Sequence, residues 1–507
     1  MKKYITAILA VFLFITSCDD GFEELNQDPN TANDLVPGPK LTNAILRAAG
    51  DRFENWRGNL IYSSTMIQHM SATGGVWAGD KYLYNAQWSG AWFERTYNDM
   101  VKIIEDVVNQ LETDPDDQYA EEMLSIARIL RVFIYHRVTD LYGDVPYSEA
   151  GRGFIDVNLR PKYDPQSEIY TDMLNELEEA TAALGTETSQ FGDADILFSG
   201  DQGKWKRFGY SLMLRLGLRL IKVDPEASRQ WVQKAIDGGV MQSNDDIAFV
   251  NHTDGPEGIN RNGNGQVFLA DDDVRLSDTF INALEDDPRL RIYAALPNDD
   301  DDRRTSGSND PTLQRGLPNG LTTETVQDIP GGDDINNFSE PNRNLITGED
   351  DPYFFQSYAE VEFMLAEADI RWGIAGGDPK AHYDAGITAA MKQMDLYDIG
   401  DQSVTDTEIS DFLTAKPYDA ANGLEQVNTQ YWIVTFLNDI ESFANWRRTG
   451  FPVLTPVNFP GNVSNGQIPR RLRYFEREQT ANPQNYQEAL SRQGPDEFFT
   501  RIWWDVE

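Results

Sequence analysis

Apolar residues recur at alternating steps of three and four along several stretches of the chain, the spacing that turns one face of a helix toward a core. Met123, Ala127, Leu130, Ile134, Val138 and Leu141 form one such stripe, and Tyr170, Met173, Leu177, Ala180 and Leu184 form a second. Trp205, Phe208, Leu212, Leu216 and Leu220 form a third, and Tyr358, Val361, Leu365, Ala368 and Trp372 a fourth. Three Asp-Pro pairs, Asp164 with Pro165, Asp224 with Pro225 and Asp378 with Pro379, mark helix starts. There the carboxylate accepts from an orphan N–H, and Pro at the first helical position loses no bond it would have made. Gly185 and the pair Gly238 and Gly239 sit where a left-handed cap would stop a helix. The helices pair as 92–112 with 119–142, 167–185 with 203–222 and 355–372 with 379–395. Successive pairs of this length predict an all-α fold of tetratricopeptide-like hairpins, whose repeat is about 34 residues. Between about 240 and 355 the pattern gives way to Gly, Asn, Asp and Pro turn signals, with one short helix near Leu276 to Glu285. This reads as a large irregular insertion on a helical scaffold, the kind of place where binding sites sit.

The N-terminus adds a targeting signal. Lys2 and Lys3 precede an apolar run from Tyr4 to Ile15, too short to span a bilayer, and Ile15, Thr16, Ser17 and Cys18 close it in the manner of a bacterial lipobox. The expected organisation is a leader over residues 1–17, lipidation at Cys18, an acidic flexible tether over 18–39 and a single helical domain over 40–507. Asp19, Asp20, Glu23 and Glu24 resemble the signal that carries lipoproteins to the outer face of the outer membrane. Cys18 is the only cysteine, so disulfides and zinc held by thiolates are excluded. With 83 acidic against 43 basic residues, a formal charge of −40 makes nucleic acid and anionic headgroups unsuitable partners.

Residues from Ile126 to Glu149 read IARILRVFIYHRVTDLYGDVPYSE. PKYDPQSEIYTDMLNELEEA follows from Pro161, GDQGKWKRFGYSLMLRLGLRL from Gly200 and SYAEVEFMLAEA from Ser357. FANWRRTGFPVL from Phe443, IPRRLRYF from Ile468, NPQNYQEAL from Asn482 and RIWWD from Arg501 complete an ordered set. Together with the lipobox, this set resembles the SusD/RagB family of nutrient-binding lipoproteins, in its SusD-like branch. The resemblance implies an all-helical binding protein on the cell surface that captures glycans, or in some members peptides or other nutrients. It also implies a partner, a SusC-like TonB-dependent outer-membrane transporter on which the protein sits as a hinged lid. Tyr142, Gly143, Asp144, Pro146 and Tyr147 are expected to end a helix and pack a turn, and Trp446, Arg447 and Arg448 to be buried scaffold.

A glycan site needs flat aromatic rings beside polar partners, because sugars present C–H faces rimmed by hydroxyls. Residues 74–92, GGVWAGDKYLYNAQWSGAW, are the densest candidate: Trp77, Tyr82 and Tyr84 lie among Asp80 and Asn85. In starch-binding members of the resembled family this region supplies a platform Trp, which favours Trp77. Trp88 and Trp92, four apart, are expected to begin a helix and face the core. A second contributor is the loop 251–265, through Arg261 and Asn262. No cofactor is expected. The runs Asp271 to Asp273 and Asp299 to Asp302 could take Ca²⁺, but no EF-hand spacing accompanies them and a solvated acidic turn is the favoured reading. An enzyme is not expected: H-E-x-x-H, G-x-S-x-G, Walker A and G-x-G-x-x-G patterns are all missing from the sequence, and His69, His136, His252 and His382 are scattered. A glycan hydrolase is the weaker alternative, since carboxylate pairs can be nominated almost anywhere in so acidic a chain.

Overall fold

The computed structural model describes residues 36–114, 118–153, 157–255, 258–298 and 303–507. Cys18, the leader, most of the tether and the run Asp299 to Asp302 lie outside the described residues. The expected tether extends to Pro39, but the helix Pro37–Ala49 already begins at Pro37. Pro37 occupies its first position, and Leu41, Ala44, Ile45 and Ala48 turn inward.

The all-α reading holds. The helix Pro37–Ala49 packs on Lys102–Glu112, which packs on Glu121–Tyr142. Glu121–Tyr142 in turn packs on Gln166–Ala183, followed by Gln202–Arg219 and Pro225–Gly238, each against the one before. A second group joins Tyr358–Trp372 to Pro379–Lys392 and Gly423–Val434, and the last of these to Asp439–Thr449. All three expected hairpin pairs are in contact. The four stripes supply much of the core, and Glu121–Tyr142 is buried nearly all round from Ser125 onward. Its end is the predicted turn: Gly143 has φ +86, and Thr139 Oγ1 donates to the Gly143 carbonyl at 2.7 Å.

Two of the three Asp-Pro starts behave as expected. Asp224 accepts from Ala227 N and Asp378 from Ala381 N, with proline in the first turn of each helix. The third does not, because Pro165 is itself the cap of Gln166–Ala183. Asp164 instead turns back to accept from the Tyr147 and Ser148 amides at 3.2 and 2.8 Å. Gly239, at φ +93, ends its helix in the left-handed region, whereas Gln166–Ala183 ends on an extended Leu184 and needs no such cap at Gly185.

Among the described residues the 240–355 insertion holds three short α-helices, Gly263–Ala270, Asp278–Ala283 and Leu290–Tyr293, besides short 3-10 turns, where one helix was expected. Short antiparallel ladders tie it to the scaffold: Met70–Ala72 pairs with Val274–Leu276, and Ala248–Val250 with Tyr353–Gln356. Most buried apolar residues form one continuous cluster, while Leu317, Val326 and Phe338 make a small separate core beneath the outermost loops. No helix among the described residues is long and apolar enough to cross a membrane.

Charge penetrates the centre of the scaffold. Arg215 and Arg219, each 1 % exposed, lie beside Glu360, Glu441 and Asp140. Arg215 Nη2 donates to Glu360 Oε2 at 2.6 Å, and Arg219 Nη2 to Glu441 Oε1 at 2.6 Å. Tyr431 adds its hydroxyl to the same Glu441 oxygen at 2.8 Å. Arg448 grips Glu367 through both guanidinium ends at 2.6 and 2.7 Å, a buried bidentate pair that accounts for its place in the FANWRRTGFPVL segment.

Candidate functional site

The expected aromatic platform is folded inward. Trp77 is 0 % exposed, and its indole N–H donates to Asp271 Oδ1 at 3.3 Å. Tyr82 is 1 % exposed, takes a left-handed conformation at φ 54, and accepts a bond from Val457 N on its hydroxyl at 3.0 Å. Gly79 permits this seating: a Cβ there would lie 2.1 Å from the Ile61 carbonyl oxygen and 2.5 Å from Thr65 Oγ1, so only a bare backbone fits against the π-helical stretch Asn55–Ser64 and the turn that follows it. Trp77 and Tyr82 therefore present no ring face to a ligand, which corrects their assignment as platforms. Asp80 is likewise buried, paired with Lys81 Nζ at 2.8 Å, and burial raises its carboxyl above the usual range against the pull of Lys81.

Tyr84 and Asn85 are half-buried and bound to the protein. The Arg473 guanidinium stacks over the Tyr84 ring at 4.0 Å, and Asn85 caps the turn Ala86–Ser89 by accepting from Trp88 N at 3.1 Å. Trp92 is in the core, as expected, beneath Arg137 at 4.5 Å, while Trp88 is only partly buried. Asn262 is buried and caps Gly263–Ala270, and its amide donates to the Asp351 and Pro352 carbonyls at 3.0 and 3.3 Å. Arg261 is held by both Glu349 oxygens at 2.9 and 3.1 Å. The polar groups of both residues are thus used inside the loop, against their expected reach toward a ligand. In the Asp271 to Asp273 run, each residue brings a carboxylate oxygen within 4.8 Å of the others'. Protein donors already serve part of that turn, since Asp271 takes the Trp77 indole and Asp272 the Arg303 guanidinium at 3.1 Å.

The buried loop instead anchors the walls of a neighbouring cleft of about 500 Å³. Asp80 accepts from Asn319 Nδ2 and, at 3.1 Å, from Gly320 N, so the 318–320 turn of the insertion is fastened to it. Ser71 Oγ donates to the Pro318 carbonyl at 3.0 Å and fastens the same turn from below. Tyr82 holds the facing 455–460 loop through Val457. Gln68 bridges the two sides: its amide nitrogen donates to the Thr455 carbonyl at 2.6 Å, and its amide oxygen accepts from Thr279 Oγ1 at 2.9 Å. Half-buried Asn319 and Phe459 and exposed Asn458 face this space, alongside prolines 318, 456 and 460. Among the described residues, Asp278 is the sole charged residue in its lining. None of Gln68, Asn319, Asn458 or Phe459 was singled out from the sequence. The turn-rich strings LPNG at 317–320 and TPVNFP at 455–460 were the available signal.

A family model described as "Starch-binding associating with outer membrane", the SusD-like family, matches residues 29–475. The chain belongs to the SusD-like family. Among solved structures, this SusD-like chain is similar to a chitin-binding protein at 30 % identity, with a TM-score of 0.81 over 93 % of this chain and 100 % of the other. It is also similar to a Bacteroidetes protein described as AC2a SusD-like, at 26 % identity and a TM-score of 0.82, over 93 % and 100 % of the two chains. A chitin-binding SusD homolog from Flavobacterium johnsoniae, at 24 % identity, shares the fold with a TM-score of 0.74 over 93 % and 99 %. No curated protein matches the chain.

Proposed function

We propose that this SusD-like protein is a cell-surface glycan-binding lipoprotein that captures oligosaccharide in the cleft between the 318–320 and 455–460 loops. Its role on this reading is to deliver the sugar to a SusC-like TonB-dependent transporter. The observation that carries the reading is the chemistry of that cleft. In a chain of net charge −40, its polar lining is amide and hydroxyl with a single carboxylate, beside a phenyl ring and proline faces. Such a surface suits neutral hydroxyls and C–H faces better than ions. Among the described residues the lining holds no second carboxylate to pair with Asp278 in the acid–base arrangement of glycoside hydrolysis. Similarity to a chitin-binding protein across nearly the whole chain supports a sugar ligand.

Titration of the purified protein against a polysaccharide panel tests the binding. Phe459→Ala is expected to weaken the bound glycan about 2- to 12-fold, the equivalent of roughly 0.5 to 1.5 kcal/mol for one ring contact. A protein that binds peptides and no glycan refutes the ligand class. Cys18→Ser is expected to release the protein from the membrane fraction, and mass spectrometry of the mature N-terminus reports the acyl chains directly. Pull-down of the native protein from outer membranes is expected to recover a large β-barrel.

A further inference from the structure

A second cavity, of about 420 Å³, shares no lining residue with the first. One wall is the helix Ala91–Arg95 with the π turn Thr96–Val101, which supplies Glu94, Tyr97 and Asn98. The opposite wall comes from the stretch around Glu149 and from the 475–482 segment with Phe475 and Glu478.

These walls are held in place by the protein. Tyr97 is half-buried, its hydroxyl donates to the Pro146 carbonyl at 2.7 Å, and its ring rests on buried Phe93 at 4.7 Å. Tyr163 donates to Glu478 Oε2 at 2.8 Å, which aims that carboxylate, and burial raises it above its ordinary range. Glu149 accepts from Asn158 Nδ2 at 2.8 Å and Lys162 N at 3.1 Å. Asn482, itself on the lining, and Asn485 pin the adjoining strip through the Pro161 and Arg160 carbonyls at 2.8 and 3.0 Å. A concave space with fixed rings and fixed acceptors is a preorganised site, and its volume falls in the usual range for ligands, about 300 to 1,000 Å³.

The charges select the ligand. Glu94, Glu149 and Glu478 on the lining oppose an anion. A neutral molecule rich in hydroxyl donors meets no such penalty, and the carboxylate oxygens can accept from it. Phe475 and Tyr97 offer ring surface for C–H faces.

We propose that this cavity is a second saccharide subsite, so that one molecule holds a polysaccharide chain, or two oligosaccharides, at two places. The inference rests on the glycan reading of the first cleft and adds to it a two-point grip. Joining two weak sites through one polymer raises overall affinity by roughly 10²- to 10⁴-fold where geometry lets both engage.

The test uses the mature full-length protein and hexaoses of β-1,4-linked glucose, xylose and N-acetylglucosamine and of α-1,4-linked glucose, titrated calorimetrically. Two molecules of the recognised hexaose are expected per protein. Asn98→Trp, a bulky change at an exposed rim position, is expected to remove one of them. The shape-preserving Glu94→Gln is expected to weaken the same site several-fold, while Phe459→Ala weakens the other. The matching long polymer is expected to lose at least 10-fold in affinity with Asn98→Trp. One hexaose per protein, indifferent to Asn98→Trp and Glu94→Gln but sensitive to Phe459→Ala, overturns the second subsite and leaves the first cleft standing. A panel in which no hexaose binds removes the glycan reading and this inference with it. A peptide competed by Asn98→Trp while no hexaose is affected overturns the sugar class for this cavity.

Discussion

Asp80 links stability to the shape of the loop-face cleft, and comparing Asp80→Asn with the double variant Asp80→Leu and Lys81→Met separates the two. The residue is fully buried beside Lys81, which is 3 % exposed and whose ammonium also donates to the Ala72 carbonyl at 2.6 Å. Removing the charge on one member of a buried pair leaves the other uncompensated, which costs about 3 to 5 kcal/mol. An unfolding entropy of roughly 2.1 cal/mol/K per residue over 507 residues is about 1 kcal/mol/K, so the expected fall in melting temperature is about 3 to 5 °C. The same substitution weakens the bonds to Asn319 and Gly320, and the 318–320 turn should loosen, lowering glycan affinity. The double variant Asp80→Leu with Lys81→Met removes both charges. It should recover most of the melting temperature, because a well-packed apolar pair can replace a buried ion pair at little cost. It should not recover binding, since nothing then anchors the turn. Calorimetric melting and glycan titration of the three proteins provide the readout. A melting temperature for Asp80→Asn within 1 °C of the parent, or full binding by the double variant, refutes the reasoning.

Other consequences can be checked with the same methods. Gly79→Ala should destabilise by about 1 to 3 kcal/mol, because its Cβ would collide with the Ile61 carbonyl; an unchanged melting curve would show that the 74–82 loop is not seated as described. Burial pushes the Glu441 carboxyl up, but Arg215 and Arg219 outweigh it and hold the group down to about 2. A depressed carboxyl stabilises fully above its ordinary value and loses that contribution as pH falls. Stability should therefore drop between about pH 4.5 and 2, and Glu441→Gln should flatten that slope in acid titrations followed by circular dichroism. His382 faces acceptors on both ring nitrogens, Glu362 Oε2 at 2.6 Å and the Ala375 carbonyl at 2.9 Å. Burial opposes the charged ring, yet these contacts raise it above its ordinary 6.5. Its contribution is complete below about pH 6.5 and fades as pH climbs through the raised value, so His382→Gln should lose most at pH 6 and least at pH 9 in melting experiments.

The scaffold was far more legible in the sequence than the site. Helical stripes are local: Met123 through Leu141 declare their buried face within one helix, and Asp224 and Asp378 find their partners three residues on. Asp164 misled because its best donors, the Tyr147 and Ser148 amides, lie earlier in the chain across a two-residue ladder. Trp77 misled for a stronger version of the same reason. A Gly-rich run of rings looks exposed until its indole meets an acceptor 194 residues away. The cleft residues were invisible because each lies outside the helical stripes in connecting chain, and only tertiary contacts bring Gln68, Asn319 and Phe459 together. Asn262 and Arg261 show that a polar loop can use up its donors internally and still look available.

The buried charges at the centre bear on how a chain of similar helices finds one arrangement. Amphipathic helices with comparable apolar stripes can slide past one another by a turn at modest cost, because one leucine replaces another. Arg215 and Arg219 join Gln202–Arg219 to Tyr358–Trp372 through Glu360 and to Asp439–Thr449 through Glu441, and Asp140 adds Glu121–Tyr142. A slip of any of the four would strand a guanidinium or a carboxylate in a dry interior, a far larger penalty than a misplaced methyl group. The lattice thus works as a combination lock for helix order, which lets the outer loops vary while the frame that carries them keeps one register.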